Sequence, residues 1–306
     1  MLSEHPAIDQ LHCIDKGWKK QGLKFHLGKE IALYKTLKRR KYDLVIHLTE
    51  SWRGAILARW LKVPFAITRK YDSRTSKRWL KSFSHHYYAP AGNRRHTVDS
   101  HIDALRHLGL QPSKEERKLV VRAGSSAEQS LKPKLGDDSP YVLIHPTSRW
   151  LFKCWPEAKV AATINHLCSK QLKVVVTSAP AQQELDMVQR ILQQVEHPVT
   201  DLSGKLSLKE LIAAIDQAQL FIGVDSVPMH IASATQTPTV VLFGPSGDKE
   251  WGPWMNNAVT LTTDHGCRPC GKDGCGGSKI SDCLTEISTN EVIQASETLL
   301  DPSTKN

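Results

Sequence analysis

What this 306-residue chain does not contain narrows it first. No apolar run approaches the ~20 residues that cross a bilayer as a helix, so a helical membrane protein is not expected. The opening Met1-Leu-Ser-Glu-His-Pro has no basic then apolar segment, so no secretory signal is read there and the cytosol is the expected compartment. No Gly-x-Gly-x-x-Gly follows a candidate strand and no Gly-Lys-Ser/Thr loop occurs, which disfavours dinucleotide and P-loop chemistry. Low-complexity tracts and internal repeats are absent, which sets aside disordered and solenoid classes. What remains is a soluble globular chain long enough for two ordinary α/β domains.

Acidic residues are short in one half only. Residues 1–130 hold 26 Lys/Arg against 12 Asp/Glu, and residues 131–306 hold 15 against 19. The first half is therefore expected to face something anionic: a nucleic acid, an anionic lipid surface or a phosphorylated substrate. Solvated helix faces account for part of the excess. Arg69, Lys70, Arg74, Lys77, Arg78 and Lys81 fall within thirteen residues and suit an anion-binding loop and helix, or a mobile surface segment.

Hydrophobic periodicity predicts the order of elements. A short strand over 8–14, a basic amphipathic helix over 23–40, a strand over 43–48, a helix over 49–61 and a strand over 63–67 open the chain. Residues 68–100 read as irregular, and 102–108 as a helix ended by Gly109. Residues 124–139, rich in Gly, Ser and Asp, read as a linker. They separate an incomplete domain over 1–130 from a regular one over 131–306. The second half alternates strand and helix: strands at 141–145, 173–177, 220–224 and 239–243, helices at 156–170 and 181–195, and a capping box, Ser207-Leu-Lys-Glu210, opening a further helix. Repeated alternation means a parallel sheet covered on both faces.

The stretch Leu220-Phe-Ile-Gly-Val-Asp225-Ser-Val-Pro228-Met-His230 organises the rest. It runs from a buried strand through a tight turn into a helix start, with Asp225 or Ser226 as the cap and Pro228 in the first turn. Ligands of open α/β sheets sit at strand carboxyl ends, and a helix start favours phosphate. Asp225 can accept from hydroxyls, and His230 lies about one turn further in. A polyol joined to a diphosphate would match. The same residues also suit a βα unit that merely caps a helix. Two other strand ends carry polar groups: Thr147-Ser148-Arg149 with Lys153, and Gly244-Pro245-Ser246. Thr147 and Ser148 could donate to phosphate, and Lys153 could stabilise charge on a departing phosphate.

His145-Pro-Thr-Ser-Arg149 with Lys153-x-Trp-Pro156, Leu202-Ser-Gly-Lys-Leu-Ser-Leu208, Gly223-Val-Asp225-Ser-x-x-x-His230 and Leu242-Phe-Gly-Pro-Ser246 resemble the lipopolysaccharide heptosyltransferase family. Trp52-Arg53, Arg69-Lys-Tyr71 and Cys267-Arg-Pro-Cys270-Gly-Lys-Asp-Gly-Cys275 are most similar to its branch that adds the third, branching heptose. The resemblance covers nearly the whole chain. It implies a GT-B fold of two Rossmann-like doubly wound domains, the first one incomplete, with the last helix crossing back. The second domain would hold ADP-heptose. Lys153 and Asp225 would be catalytic. Thr147, Ser148, Lys153, Asp225, Ser226, Val227 and His230 would bind the donor's diphosphate and heptose, and Leu206, Ser207 and Leu208 its adenosine. Arg53, Arg69, Lys70 and Arg74 would bind the phosphorylated inner-core lipid acceptor, at the cytoplasmic face of an anionic inner membrane. The reaction would invert the anomeric centre without a metal or cofactor. Family members open with a strand and a loop that supplies the general base. This chain has no such opening, so a truncated and inactive ADP-binding homologue is the second expectation. Glu184 is the nearest match to a family acid after Ser178-Ala-Pro180. A basic nucleic-acid-binding protein is the third, without a recognisable module. Cys267, Cys270, Cys275 and Cys283 have spacing compatible with a structural Zn, or are four thiols of a Gly-rich loop.

Overall fold

The protein is described by a computed structural model that covers residues 1–90 and 92–301. Its contacts divide it into two compact units: Asp9–Arg117, and Met1–Ile8 with Lys118 onward. The division lies before residue 130 because 125–135 is not a linker. Ala127, Leu131 and Leu135 recur at helical spacing, and burying them folds Ser125–Leu135 into a helix within the second unit's core.

The first unit begins without the strand expected over 8–14, where the backbone bends at Asp9 and is otherwise irregular. Helix α1 spans Leu23–Arg39 and ends on Lys38 and Arg39, which suit the negative end of a helix. Strand β1 (Leu44–His47), helix α2 (Trp52–Leu61) and strand β2 (Phe65–Arg69) follow, each close to its predicted place. The stretch expected to be irregular contains a short helix, α3 (Lys77–Leu80), a strand, β3 (His85–Tyr87), and the start of α4 (Thr97–His107). The sheet order is β1-β2-β3, all parallel. Ala55, Ala58, Ala66, Trp79 and Phe83 pack on one face of this sheet, and Ile67, Tyr87, Ala89 and Ala104 on the other. A Cβ at Gly54 would collide with the His47 ring, so α2 approaches β1 this closely only with glycine there.

The second unit is deeper. After the Ser125–Leu135 helix, α5, come β4 (Tyr141–His145), α6 (Glu157–Ser169), β5 (Lys173–Val176), α7 (Gln182–Leu192), β6 (Thr200–Asp201), α8 (Leu208–Asp216), β7 (Leu220–Val224), α9 (Val227–Thr235), β8 (Thr239–Leu242), α10 (Asp248–Trp251), β9 (Ala258–Leu261), α11 (Asp282–Thr285) and α12 (Thr289–Leu300). The parallel sheet runs β6-β5-β4-β7-β8-β9. Alternate residues along each strand point to opposite faces. Val142, Ile144, Val176, Ile222 and Leu242 enter a core closed by α6, α7 and α12. Tyr141, Leu143, Val175, Phe221 and Val241 enter a second core closed by α5, α8 and α9. Helix α12 does not cross back: Val292, Ala295 and Leu299 belong to this unit's core. Strand order reverses direction between β4 and β7, where adjacent crossovers leave a crevice outside the carboxyl ends.

Candidate active site

The second unit's candidate side chains converge where β4 and β7 end. Ile144 pairs with Ile222 and His145 with Gly223, so the two strands end side by side. The chain leaving β4 carries Thr147 and Ser148, both buried, then Lys153. The chain leaving β7 carries Asp225 and Ser226 into α9. Lys153 Nζ donates to Asp225 Oδ2 at 2.6 Å, with both side chains largely shielded from solvent. A charge pair this short and this sheltered is stronger than a surface pair. It also presents a cation and an anion at one point, able to exchange each other for a phosphate oxygen and a sugar hydroxyl.

Helix α9 opens at the same place. Ser226 holds the N-cap position, but its hydroxyl donates to Val224 O at 3.3 Å and caps no helical N–H. The expected side-chain cap is therefore not made, and the start of α9 stays open to an anion. Val227 is exposed at this end, and His230 is half-buried in the first turn.

A second layer fixes the loop after β4. Thr147 Oγ1 donates to Glu184 Oε2 at 2.7 Å, joining this loop to the start of α7. Glu184, matched only loosely from sequence, is buried, and it orients Thr147. His145 is buried beside Thr177, with Nδ1 2.9 Å from the Thr177 hydroxyl. Burial pushes its imidazole down to about 4, so it is neutral at physiological pH.

Leu206 and Ser207, in the loop after β6, and Leu208, the first residue of α8, lie at the same carboxyl edge of the sheet. Strand β6 is two places from β4, about 10 Å away. Ser207 makes the expected capping box: Glu210 N donates to Ser207 Oγ at 3.3 Å and Ser207 N to Glu210 Oε2 at 2.7 Å. Lys134 Nζ, 2.6 Å from Glu210 Oε1, with Ser130 and Ser207, holds the Glu210 carboxyl down to about 2 despite its burial.

The four basic residues expected to meet an acceptor occupy the carboxyl edge of the first unit's sheet. Three are already engaged: Arg53 pairs with Glu30 of α1 at 2.7 Å, Arg74 Nε donates to Glu50 O at 3.0 Å, and Arg69 Nη2 donates to Ala89 O at 2.9 Å. Arg69 closes β2, and Lys70 is exposed beside it. Sequence reasoning missed Tyr87 and His101 on this edge, because the stretch around them reads as irregular.

The thiols of Cys267, Cys270, Cys275 and Cys283 lie near enough to influence one another, and Cys267 hydrogen-bonds with Cys270. Among the described residues, no group of three His, Cys, Asp or Glu side chains is placed to hold a metal ion. Cys283 is buried near Gly244 with its thiol pushed up to about 11, chiefly by that burial, while Cys267 is exposed and Cys275 Sγ accepts from Asp282 N at 3.5 Å.

Residues 31–280 match the family model of glycosyltransferase family 9 (heptosyltransferase). Lipopolysaccharide heptosyltransferase 3 of Escherichia coli is 39% identical over 261 residues, covering 85% of this chain and 75% of the relative. Lipopolysaccharide core heptosyltransferase OpsX of Haemophilus influenzae is 25% identical, covering 96% and 83%. Among solved structures, a glycosyl transferase family 9 protein from Veillonella parvula superposes with a TM-score of 0.80 at 24% identity, covering 98% of this chain and 84% of that one. E. coli heptosyltransferase WaaC, solved with ADP, gives 0.62 at 18%, covering 92% and 81%. The fold is thus the α/β GT-B fold, and the chain belongs to glycosyltransferase family 9, the heptosyltransferases.

Proposed function

We propose that this chain transfers heptose from ADP-L-glycero-D-manno-heptose to the inner core of lipopolysaccharide, adding the third heptose to the second, with inversion and without a metal. The observation that carries the donor half is the Lys153–Asp225 pair beside the open start of α9, at the point where strand order reverses. On donor binding, Lys153 turns to the diphosphate and Asp225 accepts from heptose hydroxyls. The anomeric carbon exchanges its bond to a diphosphate oxygen for one to the acceptor oxygen. The acceptor's proton leaves to base or solvent, and ADP departs. Lys153 and the helix start stabilise the charge that builds on the leaving diphosphate. Thr147 and Ser148 hold the same group, with Glu184 setting the Thr147 rotamer.

The acceptor half rests on charge. The basic first unit suits a phosphorylated core oligosaccharide and the anionic lipid surface that carries it. No helix among the described residues is long and apolar enough to cross a membrane, so contact with that surface would be peripheral. The relatives named for heptosyltransferase 3 support the third heptose as the one added.

The test is ADP release and product analysis with ADP-heptose and a core lipid lacking the third heptose. Lys153→Met is expected to lower kcat by ~10²–10³, the range seen when one transition-state charge stabiliser is removed. Unchanged turnover after addition of a chelator is expected, as is an inverted anomeric linkage by NMR. No binding of ADP-heptose, or full activity in Lys153→Met, would sink the proposal.

A further inference from the structure

Two buried polar atoms at the carboxyl edge of the first unit's sheet, Arg69 Nε and the Tyr87 hydroxyl oxygen, have no hydrogen-bond partner among the described residues. Arg69 ends β2 and Tyr87 ends β3, and the two are direct neighbours in the parallel ladder. Tyr87 points to the face covered by α4, where it packs with Ile67, Ala89 and Ala104. It is only 2% exposed, yet among the described residues its hydroxyl has no hydrogen-bond partner. The Nε of Arg69 is likewise buried and unpartnered, although Nη2 of the same guanidinium donates to Ala89 O at 2.9 Å. Buried donors are normally satisfied, and each exception asks for an explanation.

The surroundings specify what would satisfy them. The Arg69 guanidinium lies 5.8 Å from the centre of the Tyr71 ring, which limits its motion. Burial pushes the Tyr87 phenol up to about 12, so it remains a donor at neutral pH. Burial, and then the charge of Arg69, lowers the His101 imidazole of α4 below its ordinary value. Two nearby carboxylates are already occupied. Asp103 accepts from Arg95 and Arg106 at 2.7–2.9 Å, and Glu50 accepts from Ser73. The group in demand is therefore an acceptor with negative charge. All of this sits at the carboxyl ends of two adjacent parallel strands, where α/β sheets bind ligands.

The geometry points to an oxyanion subsite formed by Arg69 and Tyr87, with Tyr71 and His101 at its rim, that takes a phosphate monoester or a carboxylate borne by the acceptor saccharide. A planar guanidinium edge and a phenol O–H fit adjacent oxygens of either group. The identity of the saccharide rests on the proposed function. The anion site itself does not.

The test uses the full chain and two probes, inorganic phosphate and acetate, titrated by calorimetry without donor or acceptor. Tyr87→Phe removes only the hydroxyl and is expected to weaken binding of the preferred anion about tenfold. Arg69→Lys keeps the charge but loses the fork, and is expected to weaken it by a similar factor. Preference for phosphate identifies a phosphoryl source, and preference for acetate a carboxylate source. In transfer assays the same variants should raise the acceptor KM while leaving the ADP-heptose KM unchanged. Unchanged anion binding in both variants, given unaltered melting temperatures, overturns the subsite. So does displacement of the bound anion by ADP, which would assign it to the donor crevice. Loss of transfer with anion binding intact would count against the proposed function and not against the subsite.

Discussion

In the second unit, β4 and β7 are buried along their whole length, whereas in the first unit one residue of β1 is buried and none of α1 is. Leu23, Leu27 and Ile31, an apolar stripe at helical spacing, lie exposed on α1 among lysines and arginines. The two parallel sheets therefore teach different lessons. The second is held by two apolar layers, and its polar groups collect at one crevice where apolar packing ends. The first has small cores of Trp79, Phe83, Ile67 and Tyr87, and its charge is spread over the surface and the strand ends. Under the proposed function, a donor crevice would call for rigid strands that hold Lys153 against Asp225, and a long anionic acceptor would be met by dispersed cations.

The contrast can be broken at its strongest point. Phe221→Ala empties a fully buried site in the second unit and is expected to cost about 3–5 kcal/mol in denaturant unfolding. A loss below about 1 kcal/mol would mean that the second unit is no better packed than the first. Acid provides the next largest effect. The His145 imidazole titrates near 4 when folded and near 6.5 when unfolded. As pH falls below about 6.5, the unfolded chain takes up a proton that the folded chain refuses. Stability conferred by the neutral ring is present above that pH and is lost as pH falls towards about 4, by up to about 3 kcal/mol. Unfolding midpoints followed from pH 7 to pH 4 check this, and His145→Gln should flatten the curve. Ser207→Ala removes one half of the α8 capping box and should cost about 1 kcal/mol by thermal melting. Ile31→Ser, on the exposed face of α1, should change stability by no more than about 0.5 kcal/mol. A cost of several kcal/mol there would show that α1 is packed against something in solution, and the contrast would fail.

Much of the second unit was legible in the chain. The run Leu220–Val224 is a strand with those bounds, and Ser207 with Glu210 forms the box that its spacing calls for. Both are local signals, a continuous β-branched and apolar run and a pairing three residues apart. Strand β3, His85-His-Tyr87, carries no such signal, because its edge position leaves two polar rings half-buried. Strand β6 is only two residues long. Helix α5 was hidden by Gly124, Pro133 and Gly136. Its three buried apolar residues are informative only once α8 is there to receive them.

The sequence by itself determined the parallel architecture of the second unit, the polar composition of its strand ends and the sign of charge on the first unit, since these depend on residue type and short-range spacing. Only the tertiary structure decided that Lys153 meets Asp225, that Thr147 is oriented by Glu184, and that Arg69 and Tyr87 become neighbours in the ladder, with Arg69 Nε and the Tyr87 hydroxyl unpartnered among the described residues. The physical reason is separation along the chain. Contacts between residues tens of positions apart are fixed by which strands lie side by side, and that order is settled by burial of whole faces and not by any one segment.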